Sequence, residues 1–136
     1  MTSRIFGSGI RRREDPRLIT GQASYTDDIK LPHMAHVAIL RSPHAHARIT
    51  NIDTSAAAES PGVVAVYTGT DTDSVLNPIP CAWIVPDTDT KAVAYPAMAS
   101  EIVRYVGEAV AVVVAEDRYQ AEDALELITV DYEPLP

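Results

Sequence analysis

Four histidines are the residues of this sequence that most directly suggest metal chemistry. His44 and His46 are two positions apart, so a strand would place both imidazoles on one face, and His33 and His36 precede them closely. A histidine-based zinc or nickel site is therefore one alternative. No carboxylate or thiolate stands at ligand spacing beside them, which favours partly exposed structural histidines. We predict that this chain contributes no metal ligand.

Three other patterns resemble parts of known sites but lack what the chemistry requires. The run from Gly7 to Arg12 begins like a dinucleotide-binding turn, yet arginine replaces its third glycine. Two acidic triplets begin like calcium loops, without the glycine and distant glutamate that complete such loops: Asp71-Thr72-Asp73 and Asp87-Thr88-Asp89. Ser42 and His44 could join an aspartate in a nucleophilic triad, but no Gly-x-Ser-x-Gly elbow is present.

The remaining polar groups predict local structure. Neighbouring carboxylates on a strand face opposite ways, so the pairs Asp27-Asp28 and Glu116-Asp117 are assigned to turns and caps. Cys81 has no adjacent base and is expected to be a packed thiol. The run Arg11-Arg12-Arg13 either grips an anionic partner or forms a solvated arm, and both interpretations stay open. Spacing and chemistry alone therefore indicate no catalytic, cofactor-binding or metal-binding residue.

The composition favours one soluble globular domain in a reducing compartment. The 136 residues are 46% hydrophobic, include a single cysteine and carry a net charge of −8. An acidic body repels a phosphate backbone, so we expect no nucleic-acid partner. The longest uncharged stretch, residues 74–86, is shorter than the roughly 20 apolar residues of a membrane span. Because no apolar signal segment follows the first arginines, we expect a cytoplasmic protein.

Apolar periodicity predicts an α+β (mixed α/β) fold. The clearest element is residues 109–115, a continuous apolar run typical of a strand buried on both faces. Further strands are predicted at 34–40, 48–52, 63–67 and 128–132, with short helices capped near Asp53 or Thr54 and at Asp117. Residues 70–100 contain four prolines and predict a long connection with at most brief strands. We expect a basic N-terminal arm at 1–24 and a domain at 25–136, with a mixed sheet and two short helices.

Four stretches in order resemble one enzyme family. They are RREDPRLITG at 12–21 with YTDDI at 25–29, RSPHAHARI at 41–49, VRYVGEAVA at 103–111 and VDYEPLP at 130–136. Together they resemble the start of the large, molybdenum-binding subunit of the xanthine dehydrogenase, aldehyde oxidase and carbon monoxide dehydrogenase family. Two departures bear on the subfamily: Ala109 stands where the family often has proline, and Ala23-Ser24 replace a commoner glycine-containing pair.

The resemblance implies an α/β-hammerhead domain that precedes the domains holding the molybdopterin cofactor. It implies oxidation or hydroxylation at a carbon centre, with electrons passed to iron–sulfur and flavin (FAD) partner subunits or domains. The family's catalytic glutamate and pterin-contacting loops lie downstream, so no residue of this chain takes those roles. Gly107 is expected to permit a turn before the buried strand, and Pro43 to end the first strand.

Two hypotheses for function follow. In the first, the chain is the structural N-terminal domain of a molybdenum hydroxylase large subunit, ending at the linker to the molybdenum-binding domains and inactive in isolation. In the second, it is a free-standing, non-enzymatic binding or scaffold module of the same fold.

Overall fold

The computed structural model describes Gly7, Gly9 and residues 11–136. The chain divides into two compact units, Met1–Pro32 and His33–Pro136. In the first unit, helix α1 spans Asp15–Ile19 with a proline in its first turn, and a 3-10 turn spans Thr26–Asp28. The carboxylate of Asp28 accepts the backbone N–H of Tyr25 at 2.9 Å. The composition of the first 24 residues did not predict α1, which buries no residue.

The second unit contains six strands in two three-stranded antiparallel sheets. Sheet A has the order β1-β5-β3 and sheet B the order β4-β2-β6. The strands are β1 (His36–Arg41), β2 (Ala47–Asp53), β3 (Val63–Thr68), β4 (Ile102–Val103), β5 (Ala109–Ala115) and β6 (Thr129–Pro134). Three helices accompany them: α2 (Ser55–Ala58), α3 (Gly69–Asp73) and α4 (Arg118–Leu125). The α+β class and the five long strands are confirmed.

The sequence prediction of one mixed sheet with two helices was wrong in its details. Every strand pairing is antiparallel, and the described residues form four short α-helices and one 3-10 turn. Three of the helices have five residues or fewer, too few to show a helical period in the sequence. Division into two sheets depends on pairings between distant strands, which local patterns do not encode.

Helix α4 covers one face of sheet A. Asp117 caps the helix by accepting the backbone N–H of Gln120 at 2.9 Å. Ala121 and Ala124, three positions apart, are buried on the side that packs against β1 and β5. The first core cluster lies in this layer and contains eight buried residues: Ala38, Ala57, Ala111, Val113, Ala115, Ala121, Ala124 and Ile128.

A second core cluster lies beside sheet B and consists of Ala47, Ala99, Val103 and Val110. Ile52 and Val130 pack against both clusters, so the side chains of β2 and β6 connect the two layers. Between α3 and β4 the chain has no regular element apart from an isolated bridge between Ile79 and Tyr95, as the sequence predicted for most of residues 70–100. None of the helices in the described part of the chain has the length and apolar character that a bilayer crossing requires.

Candidate functional site

The end of β1 is joined to the start of β5 by three hydrogen bonds. The backbone N–H of Ser42 donates to the carbonyl of Glu108 at 2.8 Å, and the N–H of Gly107 donates to the carbonyl of Ser42 at 2.8 Å. The guanidinium of Arg41 donates to the Gly107 carbonyl at 2.9 Å. We call residues 41–44, residues 104–108 and Tyr132 the signature junction. It brings together two stretches that are more than sixty positions apart in the sequence.

The turn at Gly107 has the backbone conformation that the sequence predicted. Its φ of +92° lies in the left-handed region, where a side chain is disfavoured. The expectation for Pro43 also agrees with the structure, since β1 ends at Arg41 just before it. Glycine therefore allows the chain to reverse directly before the buried strand β5.

The Ser42 hydroxyl holds the other side of the junction. This side chain is buried at 2% exposure, and its oxygen accepts the backbone N–H of His44 at 3.0 Å. The hydroxyl also donates to the carbonyl of His44 at 3.1 Å. These are the bonds of a local turn, and they direct the hydroxyl proton to a carbonyl oxygen instead of an imidazole base. The geometry does not support a nucleophilic role for Ser42.

Tyr132 on β6 closes the junction from sheet B. Its ring lies 4.8 Å from the imidazole of His44, centroid to centroid, at a tilt of 52°. Partial burial raises the pKa of Tyr132, and a hydrogen bond with Ser42 acts in the opposite direction. Tyr132 stands within the signature VDYEPLP and in the last predicted strand, but its contact with His44 could not be predicted, because a β6 side chain meets β1 only through the fold.

Glu108 is the buried charge of the junction, with 2% of the residue exposed. One carboxylate oxygen, Oε2, accepts the backbone N–H of Arg104 at 2.5 Å. The other, Oε1, lies 4.0 Å from the Arg104 guanidinium and has no hydrogen-bond partner in the described part of the chain. A buried carboxylate is costly unless it is paired and hydrogen-bonded. Through this hydrogen bond to the Arg104 amide, Glu108 holds the 104–108 turn closed. The Arg104 side chain itself remains half exposed.

Two tyrosines extend the junction toward the long connection. The rings of Tyr95 and Tyr105 stack with centroids 6.2 Å apart, and their hydroxyls are hydrogen-bonded to each other. This hydrogen bond is the main reason why the pKa of Tyr95 is raised to about 12. The pair connects the end of the long loop to the 104–108 turn.

The structure does not assemble the four histidines. His33 is exposed with a φ of +58°, His36 lies in β1, and His44 contacts Tyr132. The Nδ1 of His46 lies 2.6 Å from the carbonyl oxygen of Pro136. Within residues 11–136 and the two described glycines, no three His, Cys, Asp or Glu side chains are grouped so that they could hold a metal ion. The zinc or nickel alternative has no supporting geometry.

The acidic candidates act mainly in caps. Asp117 caps α4, and Asp71 begins α3 by accepting the backbone N–H and the hydroxyl of Thr68, both at 2.7 Å. These two bonds lower the pKa of Asp71. Asp28 caps its own turn in the first unit. The assignment of Asp28 and Asp117 to turns and caps is thus confirmed, and Asp71 belongs to a cap instead of a calcium loop.

Cys81 and the arginine run lie on the surface. Cys81 is exposed, so the expectation of a packed thiol was wrong, and its Sγ donates to the carbonyl of Trp83 at 3.2 Å. Residues 11–13 are exposed as well. The glycine-rich run from Gly7 to Arg12 lies partly outside the described residues.

One hollow of about 440 Å³ opens beside β3 and is lined by His33, Met34, Ala35, Val64 and Glu116. Its two ionisable side chains, His33 and Glu116, are both exposed. The arrangement offers a shallow recess for a side chain of another protein surface, with no cluster of cationic groups that would bind a phosphate.

Comparison with known proteins gives consistent matches over the chain. Residues 20–136 match the family model described as aldehyde oxidase and xanthine dehydrogenase, a/b hammerhead domain. The nicotine 6-hydroxylase large subunit of Paenarthrobacter nicotinovorans is 42% identical over 135 residues, which cover 99% of this chain. The carbon monoxide dehydrogenase large chain of Afipia carboxidovorans is 46% identical over 136 residues, which cover 98% of this chain.

Solved structures match equally well. Quinoline 2-oxidoreductase from Pseudomonas putida 86 has a TM-score of 0.85 and 46% identity, over 96% of this chain and 16% of that one. A Cu,Mo-CO dehydrogenase has a TM-score of 0.80 and 44% identity, again over 96% of this chain and 16% of that one. This chain likewise spans 16% of the length of each of the two large subunits named above.

Proposed function

Because the chain belongs to the aldehyde oxidase and xanthine dehydrogenase family, in which it matches the α/β-hammerhead domain, we propose that it is the structural N-terminal domain of a molybdenum hydroxylase large subunit. Membership confirms the resemblance carried by the ordered signatures and the fold predicted with it. We further propose that the chain is inactive in isolation.

The signature junction is the observation that carries this proposal. Three of the family's signatures meet there, through residues 41–44, residues 104–108 and Tyr132. Ser42 is hydrogen-bonded to His44 and Glu108, and Glu108 is hydrogen-bonded to Arg104. A catalytic acid, base or nucleophile needs a proton or lone pair directed at a substrate. The Ser42 hydroxyl and the Oε2 atom of Glu108 are instead directed at backbone groups, which supports a role in shape and stability.

Neither the hollow beside β3 nor the described His, Cys, Asp and Glu side chains fit a molybdenum cofactor. Binding a pterin phosphate calls for cationic side chains or a cluster of free amides, and the 440 Å³ hollow has one histidine and one glutamate. A metal ion calls for grouped donors, which the described residues do not supply. No step of the reaction is therefore assigned to this chain, and we propose that the cofactor is held by other parts of the large subunit.

For the complete enzyme we propose oxidation or hydroxylation at a carbon centre, with electrons passed to iron–sulfur and FAD partners. The support is the set of relatives, which includes a nicotine 6-hydroxylase large subunit and a Cu,Mo-CO dehydrogenase. The cytoplasmic location expected from the composition stays a prediction. The substrate is set by residues outside this chain.

Elemental analysis and an activity assay test the proposal. The purified 136-residue chain is expected to contain no stoichiometric molybdenum and to reduce no electron-accepting dye when aldehydes, purines, N-heterocycles or carbon monoxide are added. Turnover together with bound molybdenum would contradict it. Sequencing the gene distinguishes the alternative: a reading frame that ends at Pro136, without neighbouring iron–sulfur or flavin genes, favours a free-standing scaffold module.

A further inference from the structure

Sheet A has an apolar face that the domain itself leaves uncovered. The strand registers place Val37 opposite Val114 and Val114 opposite Ala65, and likewise Ile39 opposite Val112 and Val112 opposite Tyr67. Directly opposed residues of antiparallel strands have their side chains on the same side of the sheet. We call these six residues the outer face: Val37, Ile39, Val112, Val114, Ala65 and Tyr67.

The exposed fractions of residues on the two sides of sheet A show that only the side facing α4 is buried. On the side facing α4, Ala38 and Val113 are buried at 4% and 0%. On the outer face, Val37 is 60% exposed, Ile39 39% and Tyr67 47%. Val112 and Val114 are half-buried by their neighbours. The sequence of β5 is therefore that of a strand covered on both sides, while the unit His33–Pro136 supplies a covering layer on one side.

Sheet B shows that the same chain builds a polar face where a strand meets solvent. On β2 and β6, Asn51 hydrogen-bonds Asp131 at 3.3 Å, and Arg48 lies 3.8 Å from Glu133. These opposed residues are polar or charged, as expected for the solvent side of an antiparallel pair. The uncharged outer face of sheet A differs from this pattern in the same domain.

We propose that the outer face docks on an apolar surface of the remaining polypeptide of the same large subunit, an inference that rests on the proposed function. The matched relatives continue well beyond the aligned segment, because that segment covers nearly all of this chain but only 16% of the length of each relative. Six side chains, three of them half-buried, form a patch on the order of a few hundred Å², a size typical of functional patches on monomers.

Area and charge argue for a linked partner over other occupants. A stable complex of two separate chains buries roughly 800 Å² on each partner, more than this patch offers. A covalently linked partner needs less area, because the linker raises its effective concentration. The patch carries no cation and the chain has a net charge of −8, which disfavours an anionic membrane.

Cysteine accessibility tests the proposal directly. In a Cys81→Ser background, Ile39→Cys and Tyr67→Cys report the outer face from its two edge strands, and Ala38→Cys reports the adjacent buried side. Each variant is made in the 136-residue chain and in the complete large subunit, and alkylation rates are measured. We expect Ala38→Cys to be protected in both forms, which also shows that the short chain is folded, and the outer-face cysteines to react at least about tenfold more slowly in the complete subunit.

The outcomes separate the two proposals. Equal alkylation rates at positions 39 and 67 in a complete subunit that contains molybdenum would overturn the docking surface and leave the proposed function intact. A complete polypeptide without molybdenum would overturn the proposed function, whatever the rates. Protection in the short chain that disappears on dilution would identify a second copy as the occupant, and protection only by anionic vesicles would identify a membrane. Either result would contradict the proposed partner.

Ile39→Glu gives a second measurement that does not depend on cysteine chemistry. The introduced charge would be solvated in the short chain and desolvated at the docked interface. We expect it to lower the thermal midpoint of the complete subunit and to leave that of the 136-residue chain nearly unchanged. Leu127→Glu, at a residue that is 46% exposed and lies outside the outer face, is the matched control.

Discussion

The backbone of Gly69 lies directly against the backbone of Ala99. A Cβ on Gly69 would be 2.3 Å from the Ala99 carbonyl oxygen and 2.7 Å from the amide nitrogen of Ser100. Gly69 is the first residue of α3, and Ala99 is fully buried in the second core cluster. The two ends of the long connection are thus in contact at a point where only glycine fits.

Gly69→Ala is expected to destabilise the domain by about 3 kcal/mol, because the clashing atoms are backbone and cannot rotate away. Urea unfolding followed by circular dichroism measures the change. Gly107→Ala is the comparison, since its φ is +92° but no atom lies within 4 Å of the added carbon. Backbone strain alone should cost about 1–2 kcal/mol there. Equal losses of stability in the two variants would show that the backbone at Ala99 can move away from the added carbon at little cost.

Removing the buried carboxylate of the signature junction is the second test. Glu108→Ala leaves the Arg104 amide without its acceptor and opens space beside a residue that is 2% exposed. We expect the free energy of unfolding to fall by about 3 kcal/mol, and Glu108→Gln, which keeps an acceptor, to cost less. Glu133→Ala removes a carboxylate from an exposed ion pair and should change stability by less than about 1 kcal/mol. Equal losses of stability in Glu108→Ala and Glu133→Ala would contradict the expectation that the buried carboxylate of Glu108 stabilises the fold more than an exposed one.

Local patterns were sufficient for the elements with a strong period. Strand β5 was predicted at its observed limits, because seven apolar residues between two glutamates admit little else. Helix α4 followed from the spacing of Ala121 and Ala124 behind a capping aspartate. Helix α3 was missed because Gly69 ends a strand pattern, although Thr68 and Asp71 stand at the spacing of a capping box.

The site could not be derived in the same way. Nothing local indicates that Glu108 is buried or that Tyr132 meets His44, because both facts depend on β1, β5 and β6 meeting through the fold. The family resemblance marked the relevant stretches, and the structure shows how they are joined. The exposed thiol of Cys81 was missed for a related reason, since burial in an irregular loop has no sequence period.

The cap of α3 predicts a response to acid. Hydrogen bonds from Thr68 hold the pKa of Asp71 below its ordinary value of 3.8. A carboxylate whose pKa is lower in the folded state stabilises the fold above its unfolded pKa, and this contribution is lost as the pH falls through the folded value. The stability difference between wild type and Asp71→Asn should therefore be largest near neutral pH and shrink below pH 3.8. Thermal midpoints measured across this range test it, and a difference independent of pH would contradict it.

Tyr132 predicts the opposite response, at alkaline pH. Burial raises the pKa of its hydroxyl above the ordinary value of 10.0, so the protonated form is favoured in the folded chain. Its contribution to stability is complete below the unfolded pKa and is lost as the pH rises through the folded value. Tyr132→Phe should remove that part of the alkaline loss while also removing the hydrogen bond with Ser42. The free energy of unfolding of both proteins is measured from neutral pH to above pH 10.0, and tyrosinate absorbance follows the ionisation directly. If stability falls with the same slope at alkaline pH in both proteins, Tyr132 ionises as freely in the folded chain as in the unfolded one.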